Sequence, residues 1–218
     1  MSAEPLPTTV KVALLAMVAA VYAIGFWPSW IVRDAVLHAA GDPPYNGIWK
    51  LIPHILLYST LAAASAAFAW MIAVRSNWLA RPELGWRFSV IPWSIAAALI
   101  GLAFALGTIV AMGQSSAIHY IRPDYWSIGG NLFSNFYEEF IFRGFVLAAL
   151  TAVIGFWPAA IISSAMWAAM HAQYPLPLQG AIFATGVVFA WIKRATQSLW
   201  APWAAHMLLD IIGDSLIG

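Results

Sequence analysis

Apolar residues run through this chain in long blocks that no ionised side chain interrupts. No Asp, Glu, Lys or Arg lies between Lys11 and Arg33, between Lys50 and Arg75, or between Arg87 and Arg122. A helix crossing about 30 Å of hydrocarbon needs about 20 apolar residues, so each block holds a span. A fourth block, Gly144 to Ile192, is too long for one. Trp157-Pro158 and Tyr174-Pro175-Leu176-Pro177 divide it, because proline lacks a backbone donor and favours helix starts and loops. The pattern predicts seven helices, at about 10–32, 51–74, 89–112, 131–154, 157–171, 178–193 and 199–217. Residues 33–50, with Asp42-Pro43-Pro44-Tyr45-Asn46-Gly47, read as a loop, as do residues 113–130, ending in Gly129-Gly130. Bulky Phe26, Trp27 and Trp30 stand where a signal cleavage site needs small residues, so the first helix is expected to stay uncleaved. No repeat or linker divides the chain. The expectation is all-α: a polytopic transmembrane helical bundle of about seven membrane-spanning helices, with residues 1–218 forming a single integral membrane domain.

Composition agrees. The chain is 62% hydrophobic and 9% charged, against about 45–50% and about 25% for soluble domains. At 218 residues it could not bury so much apolar surface in water. A soluble enzyme, a disordered chain and a nucleic-acid binder are excluded. The net charge of +1 offers no field for an acidic partner. Cysteine is absent, which excludes disulfides, thiolate catalysis and Cys-based metal sites. With the N-terminus in the cytoplasm, Lys11, Arg75, Arg81, Arg87, Lys193 and Arg194 lie inside, and Arg33, Lys50 and Arg122 lie outside. The positive-inside rule therefore favours that orientation, in which Glu138 and His171 lie toward the outer ends of their helices.

Against so apolar a background, six polar groups stand out. Glu138, Glu139, Arg143, His171, His206 and Asp210 fall in or at the ends of the fourth, fifth and seventh predicted helices. Each charge placed at mid-bilayer costs about 2.5–3.5 kcal/mol, so such groups face a protein interior or a polar cavity. Glu139 and Arg143 are four apart and share a helix face, which predicts an ion pair. Glu138 points about 100° away and is left free for acid–base work. Trp167 and His171 share the same spacing, which lays the indole against the imidazole. His206 and Asp210 repeat it, and a carboxylate so placed can fix a histidine tautomer. His38, His54 and His119 read as surface or interfacial residues. Together the six supply a base, proton carriers and hydrogen-bond donors, the inventory for hydrolysing an amide with an activated water. Ser163 and Ser164 lie two turns from His171, but no G-x-S-x-G or H-E-x-x-H motif is present.

These residues form three motifs. Glu138-Glu139-Phe-Ile-Phe-Arg143 resembles the E-E-x-x-x-R motif of the CPBP (CAAX protease and bacteriocin-processing, or Abi) intramembrane glutamic proteases, relatives of the type II CAAX prenyl endopeptidase. Trp167-Ala-Ala-Met-His171 resembles their F-x-x-x-H, and His206-Met-Leu-Leu-Asp210 their H-x-x-x-N/D. The resemblance covers about residues 130–212. It implies that Glu138, assisted by His171, activates the attacking water, that His206 and Asp210 stabilise the oxyanion, and that Glu139 and Arg143 hold the site together. Trp167 for Phe is a mild departure. An ionised Asp210, where the eukaryotic enzymes have Asn, would oppose an oxyanion. It is either protonated or, in the favoured reading, orients a charged His206.

The implied function is an intramembrane endopeptidase cutting near the C-terminus or membrane anchor of a lipidated or membrane-associated substrate: CAAX-type, sorting-tail or bacteriocin-related. The partners implied are that substrate and the lipid bilayer, in a prokaryotic plasma (inner) membrane, with no nucleic acid. A metal-free mechanism is favoured over a zinc metalloprotease that would use Glu138, Glu139, His171 and His206. A proton-coupled transporter and a non-catalytic immunity or scaffold membrane protein are the rivals of another class.

Overall fold

The computed structural model describes residues 5–40, 62–82, 84–85, 90–122 and 125–216. Every regular element among them is helical: α1 (Thr8–Ala40), α2 (Ala63–Arg75), α3 (Val90–Ala111), α4, α5 (Phe156–Ala169), α6 (Leu176–Thr196) and α7 (Trp200–Leu216), with one short 3-10 turn at Ser115–Ala117. α4 is a continuous rod of three parts: α-helix Tyr125–Glu139, a π-helical turn Phe140–Val146, and α-helix Leu147–Ile154. Two helices are long and apolar enough to cross a membrane by themselves, Val90–Ala111 at a mean hydropathy of 2.2 and Leu176–Thr196 at 1.4. Large apolar side chains on their outer faces, among them Leu99, Phe104, Val110 and Trp191, are exposed, as a lipid-facing surface requires.

The helices fall in the predicted order, with several displaced ends. α1 continues to Ala40, so the first part of the 33–50 loop is helical. The rest of that loop and residues 51–61 of the second predicted helix lie outside the described residues. α4 begins at Tyr125, and Gly129 and Gly130 belong to it rather than to a loop. Packing overrides propensity there: Gly130 is buried, and its carbonyl accepts a hydrogen bond from Ser134 Oγ at 3.3 Å. α6 starts at Leu176 because extended Pro175 caps it and Pro177 sits in its first turn, where a missing N–H costs nothing.

α3 packs against α6 and α7, α5 against α6 and the last part of α4, and α4 against α7. α1 and α2 flank this group, touching the later parts of α4. The close approach of α3 requires Gly101, where a Cβ would stand 2.9 Å from Thr185 Cγ2 and 3.1 Å from Leu209 Cδ2. Ser94 Oγ ties α3 to the start of α7 by donating to the Ala201 carbonyl at 2.9 Å. The apolar core lies around the π turn, whose Ile141, Phe142, Phe145 and Val146 are fully buried.

Candidate active site

α4 and α7 run antiparallel, and polar side chains pair along their seam at intervals of four residues. Asn131 Nδ2 donates to Asp214 Oδ2 at 3.2 Å. One turn deeper, Asn135 Nδ2 donates to Asp210 Oδ2 at 2.8 Å. One turn deeper again, Glu139 Oε1 accepts from His206 Nδ1–H at 2.9 Å. Residues four apart lie on one helix face, so a step down one helix meets a step up the other. The ladder runs from an exposed pair to a fully buried one. At its foot Glu139 Oε1 also accepts from Arg143 Nη1 at 3.1 Å, with both side chains wholly buried. The ion pair expected from spacing is thus formed, and Glu139 is shared between it and His206.

Trp167 is the hub. Its indole N–H donates to Glu138 Oε2 at 2.7 Å. The Arg143 guanidinium lies over its ring at 4.0 Å, a buried cation–π contact. His171 and His206 meet it edge-on, each with ring centroids 5.2 Å away. Glu138 and Glu139 therefore serve different partners, as their 100° separation predicted. The substitution of Trp for Phe is more than a change of ring size, because phenylalanine has no N–H for Glu138.

Hydrogen bonds fix the histidines. The Trp167 carbonyl can only accept, so His171 Nδ1 carries the proton in the 2.9 Å bond between them. In neutral His171 the lone pair is then on Nε2. His206 is held at Nδ1 by Glu139, leaving Nε2 3.7 Å from Asp210 Oδ2, an ionic rather than a hydrogen-bonding distance. Glu139 is thus the closer partner of His206, and Asp210 is secured instead by Asn135.

His171, His206 and Asp210 line a cleft of about 430 Å³. Its apolar wall includes Leu102, Ala105 and Ile109 of α3, with Leu178 and Ile182 of α6. Tyr174, in the loop after α5, stacks on His171 at 6.2 Å and also lines the cleft. Partial burial, reinforced by the carboxylates of Asp210, Asp214 and Glu138, holds its phenol above the ordinary value of 10.0, so it remains a hydrogen-bond donor. Glu138 is half-buried, held by the Trp167 indole N–H next to the cleft, and is not itself among the lining residues.

Sequence reasoning missed Asn135, Tyr174 and Gly186. Asn135 carried a signal: it is polar, within a span, and four residues before Glu139. Gly186 faces Arg143, and a Cβ there would stand 2.9 Å from Nη2. Ser163 Oγ donates to the Phe142 carbonyl of the π turn at 2.7 Å, a structural duty. His38 and His119 are exposed and line no part of the cleft, and His54 lies outside the described residues. Among the described residues no three His, Asp or Glu side chains gather at a metal-holding position.

Fold and site together define a class: an all-helical, apolar bundle with an acid–histidine constellation buried beside a cleft. Residues 122–212 match the family model described as type II CAAX prenyl endopeptidase Rce1-like. The matched stretch contains all six sequence-predicted polar residues, and the match is consistent with the CPBP/CAAX protease family. Members of the family are membrane-embedded proteases that act on membrane-associated, prenylated proteins. No curated protein and no solved structure matches the chain.

Proposed function

We propose that this protein is a metal-free intramembrane endopeptidase that cuts a membrane-associated protein substrate near its lipidated or membrane-anchored end. All seven helices then span the bilayer as one domain, with the N-terminus in the cytoplasm of a prokaryotic cell. The observation that carries the reading is the convergence of three motifs, from three helices, on Trp167 beside one cleft.

In this mechanism a water held between Glu138 and His171 Nε2 gives a proton to Glu138 as its oxygen attacks the scissile carbonyl, and the Glu138 carboxyl then passes that proton to the amine nitrogen as the C–N bond breaks. The Trp167 indole N–H holds one carboxylate oxygen of Glu138 and leaves the other for that water. His206, protonated and tied at Nδ1 to Glu139, turns its Nε2–H toward the developing oxyanion. Asp210 supports the charge on His206, and Asn135 keeps Asp210 in place. Arg143 neutralises Glu139.

The test is cleavage of a peptide library by the purified protein in detergent. Glu138→Gln is expected to abolish cleavage, and Asp210→Asn to retain a substantial part of it. Activity is expected to survive a strong chelator. Full cleavage by Glu138→Gln would exclude the water-activation role, and loss of activity on chelation, restored by zinc, would favour the metal reading.

A further inference from the structure

A second recess lies at the opposite end of the bundle from the cleft. It encloses about 750 Å³ between the segment after α2, the last part of α4, the start of α5 and the end of α6. Phe156 and His171 bracket α5, so the recess and the cleft are roughly 20 Å apart at 1.5 Å per residue. Its lining is cationic and aromatic: Arg81, Lys193 and Arg194, with Trp78, Phe156 and Trp157. Among the described residues no carboxylate lines it. The Arg194 guanidinium lies 4.3 Å over the Phe156 ring, which pre-orders it along the wall. Gly155 gives the N-terminus of α5 no side-chain cap, so the first N–H groups of this 14-residue helix add a partial positive charge at the same place.

Depth identifies the ligand. Lys193 and Arg194 occupy the last turn of α6, one of the two helices long and apolar enough to span by themselves. The recess therefore lies at the membrane–water boundary, where Trp side chains and basic residues meet lipid headgroups. Trp157 is 56% exposed there. A soluble anion would engage Arg81 and Arg194 and leave the aromatic wall bare, whereas a phospholipid supplies a phosphate for the one and a glycerol and upper acyl chain for the other. We propose that this recess binds the phosphodiester headgroup of an anionic phospholipid, with Arg81 and Arg194 on the phosphate and Trp157 against the lipid backbone.

The inference rests on the membrane setting and not on the protease chemistry, and its test reads lipid rather than cleavage. The full chain, purified in detergent, is loaded with phosphatidylglycerol or phosphatidylcholine and examined by native mass spectrometry. Phosphatidylglycerol should be retained preferentially. Arg81→Gln/Arg194→Gln should lower its retention more than about tenfold, since each cation near anionic lipid counts for about fivefold. Lys11→Gln/Arg75→Gln, cations at the same end but outside the recess, should leave retention unchanged. Equal losses in the two double variants, or no loss in the first, would overturn the site. Complete displacement of phosphatidylglycerol by millimolar inorganic phosphate would overturn the lipid assignment in favour of a free anion. If the first double variant does not fold, Arg81→Gln alone, at an exposed position outside every helix, must still lower retention about fivefold.

Discussion

Trp167 touches both halves of the constellation, with its N–H on Glu138 and its ring face under Arg143. Trp167→Phe keeps an aromatic ring but removes the donor. A hydrogen bond to a charged group is worth about 1.5–3 kcal/mol, so kcat/KM for peptide cleavage is expected to fall roughly 10- to 100-fold. The fold should survive, which the thermal midpoint in detergent would confirm. Arg143 has no tolerant substitute. It is wholly buried, bonded to Glu139 and stacked on an aromatic face, a geometry that lysine does not reproduce. Arg143→Ala should destabilise the protein by about 3–5 kcal/mol, by leaving Glu139 buried without its counter-charge. Denaturant titration would show it, and Arg143→Lys should recover only part of the loss. The i, i+4 spacing made the Glu139–Arg143 pair legible from sequence. The indole bond was not, because a wheel gives directions on one helix and says nothing of what a neighbouring helix presents.

At the scale of the helices, the seam between α4 and α7 organises the site. Its polar rungs deepen from Asn131–Asp214 through Asn135–Asp210 to Glu139–His206, and this fixes the register of the two helices. A slide of one turn would misalign every rung. Asn135→Leu should therefore cost about 1–3 kcal/mol, from the lost donor to a part-buried carboxylate, and lower activity through the displaced Asp210. Asn135→Asp should do worse, by setting two carboxylates face to face. α6 offers a cleaner contrast. Gly186→Ala would place a methyl 2.9 Å from Arg143 Nη2 and from Ser164 Cβ, whereas Gly180 has nothing within 4 Å of its Cβ position. The first change should destabilise by about 1–3 kcal/mol and the second should be neutral or stabilising by up to about 1 kcal/mol. Hydropathy located the helices because uninterrupted apolar blocks admit one reading. It misplaced the starts of α4 and α6, where a glycine pair and a proline-rich first turn look like loop from composition alone. The π turn at Phe140–Val146 was invisible to it, because a wider helical turn leaves no mark in hydrophobicity.

At the scale of the whole molecule, described polar groups outside the buried cluster lie toward two ends. Arg75, Arg81, Lys193 and Arg194 gather at one, and Tyr174, Asp210 and Asp214 mark the other. In the proposed orientation, which the positive-inside rule favours, the cleft opens away from the cytoplasm. Since the chain has no cysteine, single replacements can be labelled without background. Tyr120→Cys, exposed at the cleft end, should react with an impermeant maleimide in intact spheroplasts. Gln197→Cys, exposed at the cationic end, should react only after lysis. The reverse pattern would turn the cleft toward the cytoplasm.

The pairing of Glu139 with Arg143 inside one helix bears on how the protein is made. α4 leaves the ribosome before α5 and α7 exist, and in the proposed seven-span arrangement it carries Glu138, Glu139 and Arg143 into the bilayer. At about 2.5–3.5 kcal/mol for each mid-membrane charge, that insertion would stall if the counter-charge came from a later segment. Because two of the three charges neutralise each other locally, the nascent helix enters nearly balanced and waits for its later partners. Asp210 arrives last, to an Asn135 already in the membrane. The residue that anchors the site from within α4 is thus also what lets the chain be threaded in the order in which it is synthesised.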